Sequence, residues 1–380
     1  MDFRFTEEQE MFRRAAADFV DKEIIPIAEE LDEREEFPWE VFRKIARLGW
    51  LGVRYPEKYG GAEADNMVFN LMCEELARGS LAVAATVAMQ ALMGTDFIYR
   101  FGTEEQKQKW LVPALRGEKI GSIAMTEPEA GSDLGGIRTT AMHDRGGYLL
   151  NGAKMWITSA TVADFFTVAA KTNPDAGFRG VDLFLVEKER AGVSAGRKIR
   201  KLGTRASETS ELILENVWIP AENLLSEREG QGVKLLSGIL DQIRVMTGAL
   251  SVGLAQAALD AALRYAQERE AFGRSINQFQ AIQHKLADMA TRLEAARTLV
   301  YRATWLIDQG MPDTKISAMA KLFASEMANY VVDETTRIYG AYGYAMEFDA
   351  QRYFRDARFL LYGGGTSEIV KNMIARELIS

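Results

Sequence analysis

The stretch YLLNGAKMWITSATVADFFTVAAKTNPDAGFRGVDLFLVE, residues 148–187, decides how the chain divides. It holds four runs rich in aliphatic, β-branched and aromatic residues, YLLNG, MWITS, FFTVAA and DLFLVE, with Gly, Asn, Asp and Pro between them. With SELILENVWIP at 210–220, this spacing predicts short strands in a compact barrel or sandwich over about 121–230. On either side the pattern is helical. Residues 1–120 open with Thr6 and Gln9, a capping box before a periodic run, and carry Ala85, Met89, Leu92 and Met93 as a core-facing stripe within Ala82–Phe101. From 231 to 380 long Ala- and Leu-rich segments return, such as GALSVGLAQAALDAALRYAQERE. A helical, a β and a second helical domain are expected, with a cleft where they meet.

Length and composition agree. A chain of 380 residues exceeds what one core supports, and 47% hydrophobic residues with only 8 prolines favour large helical units. A net charge of −8 offers no basic stripe for nucleic acid. The single cysteine, Cys73, excludes an internal disulfide, and His143 and His284 stand alone, as surface or packing residues rather than metal ligands. The acidic, amphipathic N-terminus and the lack of a long apolar run lead us to expect a soluble cytoplasmic protein outside the membrane.

Further motifs sit at fixed places: AMTEPEAGSD at 124–133, NGAKMWITSA at 151–160, REAFG at 269–273 followed by Phe279 and Gln280, and IYGAYGYAMEFDAQRYFRDAR at 338–358. In order and spacing these resemble the acyl-CoA dehydrogenase family, over the whole chain. The resemblance implies an N-terminal α-helical domain, a small middle β domain and a C-terminal four-helix bundle, with FAD as cofactor and an acyl-CoA thioester as substrate.

It further implies that Trp156 flanks the isoalloxazine, and that Thr158 and the backbone of Met125 and Thr126 hydrogen-bond it. Ser132 would lie near the pyrophosphate. Arg269 and Phe272 would clamp the diphosphate and adenine side of a neighbouring subunit's flavin, joined by Gln280, Arg337 and Gly340, and Thr366 would contact the cofactor. A shared flavin implies a homotetramer, and the family's usual electron acceptor is an electron-transfer flavoprotein. Asp241 and Arg244, within LDQIR at 240–244, match the segment that holds the CoA arm. One departure is Arg337-Ile338-Tyr339-Gly340-Ala341, where the family usually reads Gln-x-x-Gly-Gly.

The stretch LLYGGGTSEIV, 360–370, raises the chemical question. The family's base, which takes the α proton of the thioester, is usually a glutamate at the position of Gly364, and in a minority of members at that of Ile243. Neither residue accepts a proton. The Gly364 amide still implies a donor to the thioester carbonyl, and the glycines leave room for a bulky acyl group.

Asp96 is then the candidate base, continuing the Ala82–Phe101 stripe, against the alternative that it caps a turn and pairs with Arg100. Glu74 and Glu75 are expected to be solvated. A displaced base suits 1,4-dehydrogenation of a cyclic enoyl-CoA of the cyclohex-1-ene-1-carboxyl-CoA type, as in a specialised branch of the family. Alternatives are 1,2-dehydrogenation of a saturated alicyclic or branched acyl-CoA, a non-catalytic flavin and acyl-CoA binder, and a flavin monooxygenase.

Overall fold

The computed structural model of the protein describes residues 4–226 and 228–379. The first helix, Glu7–Phe19, starts at the capping box: Thr6 Oγ1 accepts from Gln9 N–H at 3.2 Å, and Gln9 Oε1 accepts from Thr6 N–H at 3.0 Å. Asp65 caps Asn66–Gly79 by accepting from Val68 N–H at 2.8 Å. Ser80 then separates that helix from Leu81–Ala88, which continues through Met89–Met93 to Asp96–Phe101. The stripe is real: Ala85, Leu92 and Asp96 are buried, and Met89 and Met93 half-buried.

Two helical stretches, Leu81–Phe101 and Gly232–Glu268, are long and apolar enough to cross a membrane, with mean hydropathies of 1.5 and 1.3. This corrects the expectation that no run reaches that length. In the most apolar 18-residue window of each, 89% of the residues are buried within the protein, so that apolar surface faces protein core.

The middle region forms one sheet, in the order β1 (Gly121–Ala124), β4 (Phe165–Lys171), β2 (Thr140–Asp144), β3 (Gly147–Thr158), β7 (Thr209–Pro220) and β6 (Val193–Ala195). The seventh strand, β5 (Val181–Glu187), pairs with β4 on its other edge. YLLNG and MWITS, read as two strands, are one 12-residue strand, β3. Its pairing with β7 slips at Leu150/Gly152 and again at Lys154/Ile157. Each bulge bends the strand, and the break visible in the sequence is the second. His143 lies on β2, and its exposed ring meets Glu229 at 2.8 Å.

The second helical unit is built on the 37-residue helix Gly232–Glu268. Asp182 of β5 caps it from the sheet, accepting from the backbone N–H groups of Gly230, Gln231 and Gly232 at 2.9, 3.1 and 3.2 Å. Gln280–Asp308 and Thr314–Tyr339 pack along it, followed by Asp349–Leu360 and Ser367–Ile379.

Helix Asn66–Gly79 also lies against the long helix. The approach is so close that a Cβ on Gly253 would sit 2.0 Å from the carbonyl oxygen of Glu74. Glu74 and Glu75 are buried here rather than solvated. Glu74 accepts from Arg297 Nε at 3.0 Å and Tyr301 OH at 2.8 Å, and Glu75 accepts from Arg78 Nε at 2.8 Å. A buried carboxylate survives only with such partners, so both belong to the scaffold.

Candidate active site

The second bulge in β3 places Trp156 at φ 63° and Ser159 at φ 62°, two non-glycine residues in the left-handed region on either side of Thr158. Such a backbone costs about 1–2 kcal/mol per residue. The strand would otherwise turn the indole inward; instead it stands 58% exposed. Met155 N–H donates to Thr126 O at 2.8 Å, so the segments carrying Met125, Thr126, Trp156 and Thr158 are side by side.

Beneath them is a pair that sequence reading missed. Lys154, fully buried, donates to Glu127 Oε1 at 2.7 Å and to Met125 O at 3.1 Å. Glu127 also accepts from Thr139 N–H at 3.0 Å and from Thr139 Oγ1 and Arg138 N–H at 2.5 Å. Burial pushes the Lys154 ammonium down to about 8 against the pull of Glu127. For Glu127 burial acts upward, and Lys154 with its other donors outweighs it to hold the carboxyl below the usual range. The signal was available, since a lysine in the middle of a strand next to a bulge has to find a buried partner.

An exposed aromatic face beside free backbone fits a planar heteroaromatic cofactor. We expect Trp156→Asn, which tolerates the left-handed backbone, to leave the apoprotein equally stable or up to about 1 kcal/mol more stable. FAD affinity should fall roughly tenfold with the loss of the ring contact. Denaturation of the apoprotein and a fluorescence titration with FAD measure the two effects.

The remaining proposed cofactor contacts sit on other segments. Arg269 ends the long helix and stacks its guanidinium 5.7 Å from the ring centre of Tyr342, bringing the 337–344 segment beside the 270–275 hairpin. Phe272, at φ 53°, is 96% exposed, and Gln280, Gly340 and Arg337 are exposed. Arg337 donates to Asp333 at 2.7 Å, an ordinary pairing one turn apart. Ser132 is exposed in the turn before Leu134–Gly136, and Thr366 Oγ1 accepts from Ile369 N–H at 3.3 Å at the start of the last helix. A fully exposed phenylalanine beside an exposed arginine fits the edge of a site completed by another molecule.

The glycine loop faces the long helix. Gly364 and Gly365 have φ of 72° and 109°, and a Cβ on Gly364 would meet Thr247 Oγ1 at 3.1 Å and Ile243 Cγ2 at 3.7 Å. The two positions that the resemblance gives to the base thus face each other, and neither bears a carboxylate. Gly363 N–H donates to Phe359 O at 3.0 Å and Gly365 N–H to Tyr362 O at 3.3 Å, whereas Gly364 N–H has no acceptor among the described residues. Directly after Ile243, Arg244 is buried and donates to Asp241 Oδ1 at 2.7 Å, while Thr314 Oγ1 donates to Asp241 Oδ2 at 2.8 Å. Arg244 Nε is buried with no acceptor among the described residues, which fits a polar ligand reaching this point.

Asp96 is 1% exposed, as a carboxylate on the buried stripe had to be. Arg54 NH2 lies 2.7 Å from its Oδ1 and Arg100 Nε 2.6 Å from its Oδ2, so the pairing with Arg100 is present. Arg54 is itself buried and reaches Gln242, the neighbour of Ile243, at 2.9 Å. Burial works against the Arg54 charge, and Asp96 more than restores it. Sequence reading did not find Arg54, because nothing in GVRYPE marks a buried arginine.

Similarity to known proteins follows the same division. Three family models match in succession: the acyl-CoA dehydrogenase N-terminal domain over residues 6–118, its middle domain over 122–217 and its C-terminal domain over 230–379. The chain is 51% identical to benzylmalonyl-CoA dehydrogenase of Aromatoleum aromaticum over 380 residues, 100% of both chains. It is 42% identical to the 3-(aryl)acrylate reductase of Clostridium sporogenes, over 99% of each. The structure of butyryl-CoA dehydrogenase from Megasphaera elsdenii superimposes with a TM-score of 0.97 at 38% identity, covering 100% of both chains. A β domain with an exposed aromatic face between two helical units, matched end to end by such relatives, makes this chain a member of the acyl-CoA dehydrogenase family, an FAD-dependent oxidoreductase.

Proposed function

We propose that the protein oxidises a CoA thioester with a carboxylate on the α carbon and an aryl-sized group on the β carbon, releasing CO2 and an α,β-unsaturated thioester. One observation carries this reading: neither the glycine loop nor the helix position facing it bears a carboxylate. Gly364 and Ile243 have none, and Asp96 is held in ion pairs, its Oδ1 accepting from Arg54 and its Oδ2 lying 2.6 Å from Arg100 Nε without a hydrogen bond. Abstraction of an α proton needs an acceptor within hydrogen-bond reach. An α carboxylate removes the need, because the bond from the α carbon to the carboxylate breaks and leaves its electron pair as the enolate. FAD, when bound, supplies the acceptor for the β hydrogen and its two electrons. One C–C bond and one C–H bond break, one C=C bond forms, and no proton is left for the protein to take.

The chain's own residues then bind and orient. The unpaired N–H of Gly364 donates to the thioester oxygen, where negative charge grows. Arg244, held by Asp241, fixes the CoA arm, and Ile243 keeps water from the enolate side. The three glycines leave space for an aryl group. In support, the relative from Aromatoleum aromaticum is named for benzylmalonyl-CoA, a thioester with both features. The exposed Phe272 and Tyr344, at 96% and 93%, support a homotetramer in which the 269–280 and 337–344 segments reach a neighbour's flavin. A cytoplasmic location and an electron-transfer flavoprotein as acceptor complete the reading by family analogy.

A second reading is 1,4-dehydrogenation of a cyclic enoyl-CoA with Asp96 as base, favoured by the burial of that carboxylate on the apolar stripe. It requires Asp96 to leave Arg54 or Arg100. Anaerobic mixing of the holoenzyme with an arylalkylmalonyl-CoA, a saturated arylpropanoyl-CoA and a cyclohexenecarboxyl-CoA separates the two. Rapid loss of flavin absorbance with the first alone supports decarboxylative oxidation. Loss with the third alone transfers the role to Asp96, loss with the second marks a 1,2-dehydrogenase, and loss with none marks a binding protein.

A further inference from the structure

We propose that Lys321 is a positioning residue that aims the Gly364 N–H at the thioester carbonyl by gripping the glycine loop from the helix beneath it. Lys321, on Thr314–Tyr339, is 0% exposed and donates to Gly365 O at 2.6 Å and to Leu361 O at 3.4 Å. These carbonyls bracket Gly364 on either side. Among the described residues no carboxylate accepts from Lys321; Glu326 on its own helix, Arg244 on the long helix and Glu368 on the last helix are the charges that face it. An ammonium without a counter-ion in a protein interior is costly, so its hydrogen bonds to the loop are the reason the position is occupied.

Three successive glycines have wide conformational freedom, and a donor that is 1 Å out of place loses much of its catalytic effect. A charge-assisted grip on the carbonyls at 361 and 365 removes that freedom without adding a side chain to the site. Nothing in the mechanism above uses this lysine otherwise, and the inference rests on Gly364 being the carbonyl donor.

The test reads the carbonyl itself. [1-13C]Phenylacetyl-CoA has no β C–H bond, so it binds without being oxidised, whatever the true substrate. Isotope-edited infrared spectra of the holoenzyme are expected to show its C=O stretch lowered relative to the free thioester. In Lys321→Met more than half of that lowering should be lost, with flavin content and ligand affinity within about twofold and kcat on the thioester that the wild type turns over down roughly 10–100-fold. Lys321→Arg should recover part of both.

A pH profile adds an independent readout. Burial pushes Lys321 down to about 8, Glu326 opposing and Arg244 adding to the effect. A neutral amine grips carbonyls more weakly, so the infrared lowering should fade as pH rises through that value. Stability linked to this group moves the other way, rising between about 8 and the ordinary lysine value of about 10.4, because the unfolded chain holds the proton longer. Full lowering retained in Lys321→Met overturns the proposal. Should that variant not fold, a wild-type lowering that stays flat from about pH 7 to about pH 9.5 overturns it. No lowering in the wild type would remove the Gly364 donor on which it rests. Rejection of the α-carboxylated substrate would leave this result standing, since the probe is not turned over.

Discussion

Offered an arylalkylmalonyl-CoA and the matching saturated arylpropanoyl-CoA, the holoenzyme is expected to reduce its flavin with the first on the order of 10²–10⁴-fold faster, the factor a positioned base contributes. The two thioesters differ only in the α substituent. With the saturated ester an α proton must go to a protein group, and the carboxylates of the facing helices are held by donors: Asp241 by Arg244 and Thr314, and Glu74 by Arg297 and Tyr301. With the malonyl ester the leaving group is CO2 and no such acceptor is needed. Stopped-flow absorbance at matched saturation gives both rates. Equal rates would mean that a base exists after all.

Asp96→Asn is expected to destabilise the folded protein by about 3–5 kcal/mol, the range for removing one partner of a buried ion pair. The change leaves Arg54, 7% exposed and with its Nε already lacking an acceptor, as an uncompensated buried cation. Urea denaturation measures the loss. Flavin reduction per folded molecule should stay within about threefold, since a residue that holds Arg54 and Arg100 in place touches no reacting atom. The opposite pattern, intact stability with a rate down a hundredfold or more, would give Asp96 the role of base and favour the cyclic enoyl substrate. The two outcomes are distinguished by stability as well as rate, so a single variant decides between scaffold and catalyst.

The helix–sheet–helix order was legible because periodicity changes sharply at both ends of the β region, and Thr6 with Gln9 announced the first helix. The length of β3 was not, because the bulge around Trp156 interrupts the alternation that marks a strand. At the site, the positions without a base could be counted from motifs. What fills the space around them could not. Lys154 with Glu127, Arg54 with Asp96 and Lys321 with the 361 and 365 carbonyls are pairs separated by 27, 42 and at least 40 residues, brought together only by tertiary packing. For Lys154 and Lys321 a single charged residue inside an apolar segment was the available sign; Arg54 in GVRYPE carried none. Glu74 and Glu75 were misread as solvated because a buried carboxylate and an exposed one look alike until Arg297, 223 residues away from Glu74, is in view.

The most direct test of a reaction without a protein base follows the carboxylate carbon. An arylalkylmalonyl-CoA labelled with 13C in its free carboxylate is mixed anaerobically with the holoenzyme, and labelled CO2 is compared with flavin reduced. The account predicts one CO2 released for each flavin reduced, with an unlabelled arylacryloyl thioester as the product. Flavin reduction with the label still on the product would contradict it, since the α proton must then have been taken by a group of the protein.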